Sequence, residues 1–335
     1  MHWSQRLKYP TESLNPPIAP IRMKSLDRLI ALADLRGSLD LRCLLQGDWR
    51  VDHAKAEPDM ALYHIVLSGH CVAQFEDRSR LELKKGDLLL LPRGASHVLS
   101  SLGDDACAPP PAPAEARTTT TPDSLVPIKR IGHEGELLDM LCGSIRHAPY
   151  ASLFAGVPDR ILVPAAQAQD HATVDAIVTI LRNEIDASRP GSRTVIDALS
   201  TVLFALAMRE HLKQRPDAAG TLSLLSDRRM AAVLQAMLDD PGRHWRVEDF
   251  AERAAMSRAS FMRAFTRLAG TTPAALLAAV RMECARELLL TTDRSLARIA
   301  LDTGYESEAA FGKKFSSTYG QPPGRFRQCQ RVDEA

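Results

Sequence analysis

The sequence predicts an α+β multidomain chain, in which an N-terminal β-barrel with a helical hairpin precedes an all-α domain with two helix-turn-helix units. Three observations support this prediction. Short β-rich runs broken by turns fill residues 49–102, apolar residues recur at helical spacing from Pro158 onward, and a fifty-residue internal repeat occupies the last third of the chain. Such changes of periodicity indicate separate domains.

The composition is that of an ordinary globular protein. The chain has 335 residues, enough for two domains, with 45% hydrophobic and 25% charged side chains. Residues 222–335 carry 17 basic and 14 acidic side chains, whereas the remainder carries 25 and 27, so an anionic partner suits the C-terminal third. No apolar run approaches the roughly 18 residues of a membrane helix, and we expect no membrane partner.

The first 22 residues are proline-rich and lack the apolar core of a secretion signal. We expect residues 1–22 to form a disordered tail and the protein to be cytoplasmic. A reducing compartment argues against standing disulfides, and none of the six cysteines has the C-x2-C spacing of a structural zinc site. An amphipathic segment begins at Met23, and we expect it to pack against the barrel.

Residues 23–157 are predicted to form the barrel. Within them, "GDLLLLPRGASH" from Gly86 to His97 predicts a strand, a tight turn at Pro92 and Gly94, and the start of another strand. Four consecutive leucines require burial on both faces, which a closed β structure provides. A proline-, alanine- and threonine-rich tract predicts a disordered insertion over 103–133 between two strands, with a domain linker as the alternative.

Residues 158–221 are predicted to form a helical hairpin. Two segments with apolar residues at i, i+3, i+4 and i+7 flank the breaker "RPGS". The second segment is apolar nearly all round, so the barrel, the partner helix or a second subunit must cover it. We assign this region to dimerisation and to the link with the C-terminal domain, and we expect a homodimer.

The C-terminal third contains two copies of one unit. In each copy a short helix and a turn precede a second helix, which a serine can cap and a glycine can end. Two phenylalanines at i and i+4 mark the inner face of that helix. Each copy therefore predicts a helix-turn-helix unit, at about 248–269 and 296–319. The repeated residues are Ser257, Phe261, Phe265, Gly270 and Pro273, matched by Ser307, Phe311, Phe315, Gly320 and Pro323.

The stretch "GYESEAAFGKKFSSTYGQPPGRFR" resembles the signature of the AraC/XylS transcription regulators, and the resemblance covers residues 229–328. It implies a seven-helix domain that binds double-stranded promoter DNA. It also implies a sequence-specific regulator, usually an activator and not an enzyme, with RNA polymerase as a partner. The two recognition helices are then expected in successive major grooves about 34 Å apart.

Residues that lie off the phenylalanine stripe are the candidates for DNA contact. Arginine can make a bidentate contact with guanine, and serine can approach a base or a phosphate. Glu308 could accept from a cytosine amino group or could favour the helix N-terminus. The predicted DNA-binding residues are Ser257, Arg258, Ser260, Met262, Arg263 and Arg267 in the first unit and Ser307, Glu308, Ala309, Lys313 and Lys314 in the second.

The spacing in "GDLLLLPRGASH" resembles the second motif of the cupin barrels, in which the histidine, here His97, is often a metal ligand. Cupin metal sites normally add an H-x-H pair and a glutamate, but counting back from Gly69 puts Leu62 and residues 55–58 at those positions. His64 and His97 remain as weak candidates, short of three ligands. We therefore expect no metal and no other cofactor, and a cupin-type enzyme is a distant alternative.

The N-terminal half, with a Cys-Gly pair in a late strand, resembles the branch of this family that responds to reactive chlorine species. Cys43 and Cys142 align with cysteines of that branch. A thiolate oxidised to a sulfenic acid can condense with a nearby thiol to give a disulfide, so these two residues form a candidate redox switch. Two alternatives stay open: both cysteines are buried small hydrophobes, or a small-molecule effector binds in the barrel.

Overall fold

The computed structural model describes residues 19–101, 117–119, 125–147, 156–165, 171–214 and 220–333. Helix α1 (Ala19–Leu32) includes the last four residues of the tail predicted for 1–22, and the first eighteen lie outside the described residues. The strands that follow are β1 (Arg36–Leu45), β2 (Arg50–His53), β3 (Met60–Ser68), β4 (His70–Phe75), β5 (Arg80–Lys84), β6 (Leu88–Leu91), β7 (His97–Ser100), β8 (Arg117–Thr119), β9 (Ile128–Ile131), β10 (Leu138–Arg146) and β11 (Ile161–Val163).

The strands form two facing sheets. One has seven strands in the order β11-β6-β3-β10-β1-β9-β8, and the other has four in the order β2-β7-β4-β5. The space between them is filled by an apolar core that includes Trp49, Phe75 and Leu99. The centre of the larger sheet is antiparallel, because β10 pairs with β1 on one side and with β3 on the other. The predicted N-terminal barrel is therefore confirmed.

The four leucines of β6 show why this strand is apolar throughout. Leu89 and Leu91 belong to the core between the sheets, whereas Leu88 and Leu90 belong to the cluster shared with the helices. Successive side chains of a strand point to opposite faces. One face of β6 therefore fills the barrel and the other lies under a helix.

Helices α2 (His171–Ala187) and α3 (Ser192–Gln214) form the predicted hairpin. Helix α3 lies across the outer face of the larger sheet and contacts β1, β10 and β11. It approaches β1 closely, since a Cβ atom on Gly37 would lie 2.6 Å from the Cβ atom of Ser200. The barrel and helix α2 together cover the buried side of α3, while Val195 and Val202 remain exposed.

The larger sheet extends beyond its predicted limits at two places. Strand β11 pairs with β6 and lies past residue 157, the predicted end of the barrel. Strands β8 and β9 fall within the predicted insertion 103–133, where β9 pairs in parallel with β1. These strands have three or four residues, too few for a periodic pattern, and depend on pairing with a longer strand. Residues 103–116 and 120–124 of the predicted insertion lie outside the described residues.

Residues 220–333 form the reader domain, with the seven α-helices predicted for the C-terminal third. Ser257 and Ser307 cap the second helix of each unit by accepting from backbone amides, and Gly270 and Gly320 end these helices at φ of 67° and 73°. No helix in the described part of the chain is long and apolar enough to cross a membrane. After a 3-10 segment (Thr221–Ser226) come α4 (Arg228–Asp239), α5 (Val247–Arg253), α6 (Arg258–Ala269), α7 (Pro273–Thr291), α8 (Leu296–Asp302), α9 (Glu308–Tyr319) and α10 (Pro323–Asp333).

Helix α1 packs on the reader domain, which corrects the expectation that the N-terminal segment packs against the barrel. Arg28 of α1 pairs with Glu287 of α7 at 2.7 Å. The buried Arg286 of α7 donates to the Leu32 carbonyl at 3.1 Å. An amphipathic pattern predicts that one face of a helix is buried, but it does not identify the surface that covers this face.

Candidate nucleic-acid interface and candidate sensor site

Helix α6 has one buried face and one basic, exposed face. Its two phenylalanines are buried in the core, whereas Arg258, Arg263 and Arg267 are exposed. Arg258 pairs with Glu248 of α5 at 3.2 Å. Within the described ranges, no acidic side chain pairs with Arg263 or Arg267. These two guanidinium groups are therefore available to an anionic partner.

The other predicted contact residues of the first unit have partners within the protein. Ser257 Oγ accepts a hydrogen bond from the Ser260 amide and lies 3.1 Å from Ser260 Oγ. Met262 is half-buried and packs against the core. These three side chains help to cap and hold α6, and its arginines provide its charge.

Helix α9 presents the corresponding face of the second unit. Glu308, Ala309, Lys313 and Lys314 are all exposed, and neither lysine has an ion-pair partner among the residues that the structure describes. Ser307 Oγ accepts from a backbone amide at 3.2 Å and caps the helix. Glu308 lies in the first turn, where the helix dipole favours a carboxylate. Both units therefore carry exposed cations on the second helix.

Three histidines converge inside the barrel. His53 of β2, His64 of β3 and His97 of β7 place one ring nitrogen each within 4.8 Å of the others. The Nε2 atoms of His64 and His97 are 2.9 Å apart. His97 Nδ1 lies 2.9 Å from the Ala95 carbonyl, which can only accept, so this nitrogen carries the proton and Nε2 presents its lone pair. The His53 ring stacks on His97, with centroids 4.4 Å apart.

Cys43 of β1 and Cys142 of β10 lie beside these histidines. Cys43 pairs in register with Met140, so Cys142 is two residues further along β10 and on the same face. The two Sγ atoms are 3.8 Å apart, and the residues are 4% and 8% exposed. Cys142 Sγ also lies 3.2 Å from His64 Nδ1. We call these two cysteines and the three histidines the sensor cluster.

Burial sets the protonation of the sensor cluster. It lowers the pKa of all three histidines, to about 4 for His53, so the imidazoles are neutral at physiological pH. The hydrogen bond between the two thiols lowers the pKa of Cys43, and the same bond, together with burial, raises the pKa of Cys142. Cys43 is therefore the member of the pair that loses its proton more readily.

His53 is the one member of the sensor cluster absent from the sequence-based candidates. The cupin motif places the upstream ligands at residues 55–58, whereas β2 ends at His53 and pairs with β7, so that His53 lies opposite His97. The register of a four-residue strand leaves no local pattern in the sequence, so no signal there identifies His53. The expectation of no metal counted two histidines, and the structure brings together three.

Two protein families match separate parts of the chain. A cupin family matches residues 25–213, which include most of the barrel and the hairpin and make up more than half of the chain. A helix-turn-helix domain family matches residues 250–328 and includes both repeated units. The predicted cupin sensor domain and the predicted helix-turn-helix domain are thereby confirmed.

Sequence similarity to known regulators extends over nearly the whole chain. It is 31% identical over 306 residues to an uncharacterized HTH-type transcriptional regulator of Haemophilus influenzae, which covers 91% of this chain and 99% of the relative. It is 28% identical over 311 residues to RclR of Escherichia coli, an RCS-specific HTH-type transcriptional activator, with 92% and 99% covered. The AdpA DNA-binding domain, solved in complex with a target DNA, is 33% identical to this chain. That match covers 31% of this chain and 93% of the AdpA chain, with a TM-score of 0.30. This chain joins a cupin sensor domain to two helix-turn-helix units, and its similarity to such regulators extends over nine-tenths of its length. The chain is therefore a member of the AraC family of DNA-binding transcription regulators.

Proposed function

We propose that this regulator is a transcription activator that binds promoter DNA through α6 and α9 and is switched by oxidation of Cys43 and Cys142. The observation that carries the switch is the 3.8 Å separation of two buried sulfurs inside the sensor domain. The exposed cations of α6 and α9 support the DNA interface. The similarity to RclR, an RCS-specific activator, supports hypochlorous acid as the oxidant.

The chemistry of the proposed switch has two steps. The Cys43 thiolate attacks hypochlorous acid, which gives a sulfenic acid on Cys43 and releases chloride. The Cys142 thiol then attacks that sulfur, and the disulfide forms as water leaves. The two sulfurs lose two electrons, which reduce the chlorine to chloride. Because a disulfide bond is about 2.05 Å long, the sulfurs must move much closer together.

Closing this disulfide requires a change of strand geometry. Cys43 and Cys142 are diagonal neighbours on β1 and β10, and the Cα atoms of such residues typically lie about 7–8 Å apart across a sheet, with their Cβ atoms somewhat closer. A disulfide needs Cβ atoms about 3.5–4.5 Å apart. We therefore expect the two strands to slide or bend as the bond forms, and a register shift between Leu39 and Leu41 already interrupts their pairing nearby.

Helix α1 connects this movement to the reader domain. Strand β1 begins at Arg36, directly after α1, which is held to α7 by the Arg28–Glu287 ion pair and by Arg286. Helix α7 is the spacer between the two helix-turn-helix units. A movement of α1 therefore changes how α6 and α9 are presented to successive major grooves.

The proposed protein partners are a second copy of the chain and RNA polymerase. Ile180 of α2 and Val195 and Val202 of α3 are exposed apolar side chains on the hairpin, and they support a homodimer surface there. Two copies would present two reader domains to two half-sites. An activator bound at a promoter acts on RNA polymerase, which is therefore the second proposed partner. Because promoter DNA and RNA polymerase are in the cytoplasm of a bacterial cell, we expect this protein to work there.

The switch is tested in cells that carry a reporter for the regulated promoter. Hypochlorite should induce the reporter, and mass spectrometry after acid quenching should find a Cys43–Cys142 disulfide. Cys43→Ser and Cys142→Ser should each abolish induction. Cys71→Ser is the matched control, because Cys71 is also buried in the barrel core. Normal induction in both switch variants would reject the thiol mechanism and favour a small molecule bound in the barrel.

A further inference from the structure

We propose that His53, His64 and His97 form a binding site for one transition-metal ion of the zinc type. Each residue supplies one imidazole nitrogen from a different strand. His97 occupies the histidine position of the second cupin motif, whereas His53 and His64 lie outside the positions where the first cupin motif places its ligands. The site is therefore a different ligand set on the same barrel.

The spacing of the nitrogens fits a tetrahedral ion. Zinc binds imidazole nitrogen at about 2.0–2.1 Å, which puts two tetrahedral ligands about 3.3–3.4 Å apart. The Nε2 atoms of His64 and His97 are 2.9 Å apart, and all three ligand atoms lie within 4.8 Å of one another. The three nitrogens are therefore close enough together to bind one ion after a modest adjustment.

The groups around the histidines are those that orient metal ligands. A ligating histidine usually donates its second ring N–H to a carbonyl or another acceptor. His97 Nδ1 donates to the Ala95 carbonyl, and His64 Nδ1 lies 3.2 Å from Cys142 Sγ. In both rings the nitrogen on the opposite side, Nε2, points to the common centre.

His53 adds an independent observation. Its Nδ1 atom is buried and makes no hydrogen bond of good geometry among the described residues, although the Val51 backbone lies close enough to act on the ring. Buried polar atoms in native proteins are almost always satisfied by protein, water or a ligand. A nearby cation would satisfy this nitrogen if the ring turned.

Imidazole suits zinc and several other d-block ions, whereas the hard cations magnesium and calcium prefer oxygen ligands. Three protein ligands leave the fourth position of a tetrahedral ion for water. His53 is half-buried, whereas His64 and His97 are buried, so the cluster comes nearest to solvent at His53.

A metal here would also affect the neighbouring thiol. An ion bound to His64 Nε2 leaves the proton of that ring on Nδ1, which then donates to Cys142 Sγ. The metal thereby fixes the direction of a hydrogen bond to one of the two sulfurs of the thiol pair.

The test is a metal titration of the full-length protein. The chain is purified with a non-chelating reductant, stripped of metal, and titrated with zinc in competition with a chromophoric chelator. We expect one zinc ion per chain. His53→Gln should raise the Kd for zinc more than about 100-fold, and Cys142→Ala should raise it about 10- to 100-fold, the usual effect of losing an outer partner. His133→Gln, at an exposed histidine, should leave the Kd unchanged.

Cobalt(II) binding to the wild-type protein gives a second measurement that does not depend on the stability of any variant. A three-histidine site predicts the visible bands of tetrahedral cobalt without the intense near-ultraviolet band of a thiolate ligand. Failure of the wild-type chain to bind one equivalent of zinc would overturn the proposal. So would a strong cobalt–thiolate band, or an unchanged zinc Kd in a folded His53→Gln variant.

Discussion

At the residue scale, the arginines of α6 differ in their surroundings. Arg258 pairs with Glu248, whereas Arg263 is exposed and has no acidic partner within the described ranges. A guanidinium without a competing carboxylate can make a bidentate contact with guanine in the major groove. Arg267 is equally exposed and also has no acidic partner within these ranges, but Arg263 lies nearer the start of α6. Because recognition helices contact base edges with their N-terminal part, we expect Arg263 to contact a base.

Arg263→Ala should weaken operator binding by about 1–3 kcal/mol and relax the preference at one base position. The fold should be unaffected, because this side chain is exposed. Binding to a set of singly substituted operators measures both effects. Arg325→Ala, at an exposed residue of α10, is the control. If Arg263→Ala discriminates among the operators as wild type does, Arg263 does not read the sequence.

Residue 143, which follows Cys142, has no room for a side chain. A Cβ atom at this position would lie 2.3 Å from both the Ser38 carbonyl oxygen and Tyr63 Cζ, and Tyr63 is held by its hydrogen bond to Ser38. Gly143→Ala should therefore lower the free energy of unfolding by about 1–3 kcal/mol. Gly312→Ala, where a Cβ would meet nothing within 4 Å, should stabilise its helix. Thermal unfolding of the two variants measures the difference, and equal melting temperatures would contradict this explanation.

At the scale of elements, helix α1 connects the sensor and reader domains. It precedes the strand that carries Cys43 and lies against α4 and α7 of the reader domain. Arg28 makes two contacts with Glu287, at 2.9 and 2.7 Å, so the pair is held in a fixed orientation.

Arg28→Ala should uncouple the domains without unfolding either one. The Arg28–Glu287 pair is about one-third exposed, so its loss should change stability little. Operator binding by the reduced protein should persist, but the change in Kd caused by hypochlorite should shrink several-fold. Arg50→Ala on β2, which removes only a local pair with Asp52, serves as the control. A full oxidant response in Arg28→Ala would mean that the signal takes another path.

The elements that the sequence predicts well are those with local signals. The serine caps, the phenylalanine pairs and the terminal glycines of α6 and α9 all lie within one helix, and the structure has them as expected. His53, strand β9 and the partner of α1 depend instead on pairing between distant segments. A four-residue strand or one amphipathic face is compatible with several partners, so these features follow only from the assembled fold.

At the scale of the whole molecule, one buried apolar cluster lies wholly within the reader domain, and a second is shared with the barrel and the hairpin. Leu222, Leu224 and Leu225 of the 3-10 segment are buried in the shared cluster, where the segment contacts α4 and α6. A fragment of residues 220–333 should therefore fold and bind DNA, whereas a fragment that starts at residue 227 should be less stable because it lacks these three side chains. Without the sensor cluster, binding by the longer fragment should not respond to hypochlorite. An oxidant response in this fragment would place the switch outside the barrel.

The central claim, that oxidation of two buried thiols in the barrel changes DNA binding by the reader domain, is tested most directly with purified full-length protein. The Kd for the operator is measured before and after one equivalent of hypochlorite. The wild-type protein should bind about 5- to 150-fold more tightly after oxidation, the usual range for coupling between two sites. Cys43→Ser and Cys142→Ser should show no change, and Cys71→Ser should behave as wild type. An unchanged Kd in the oxidised wild type, or an equal shift in both switch variants, would contradict the claim.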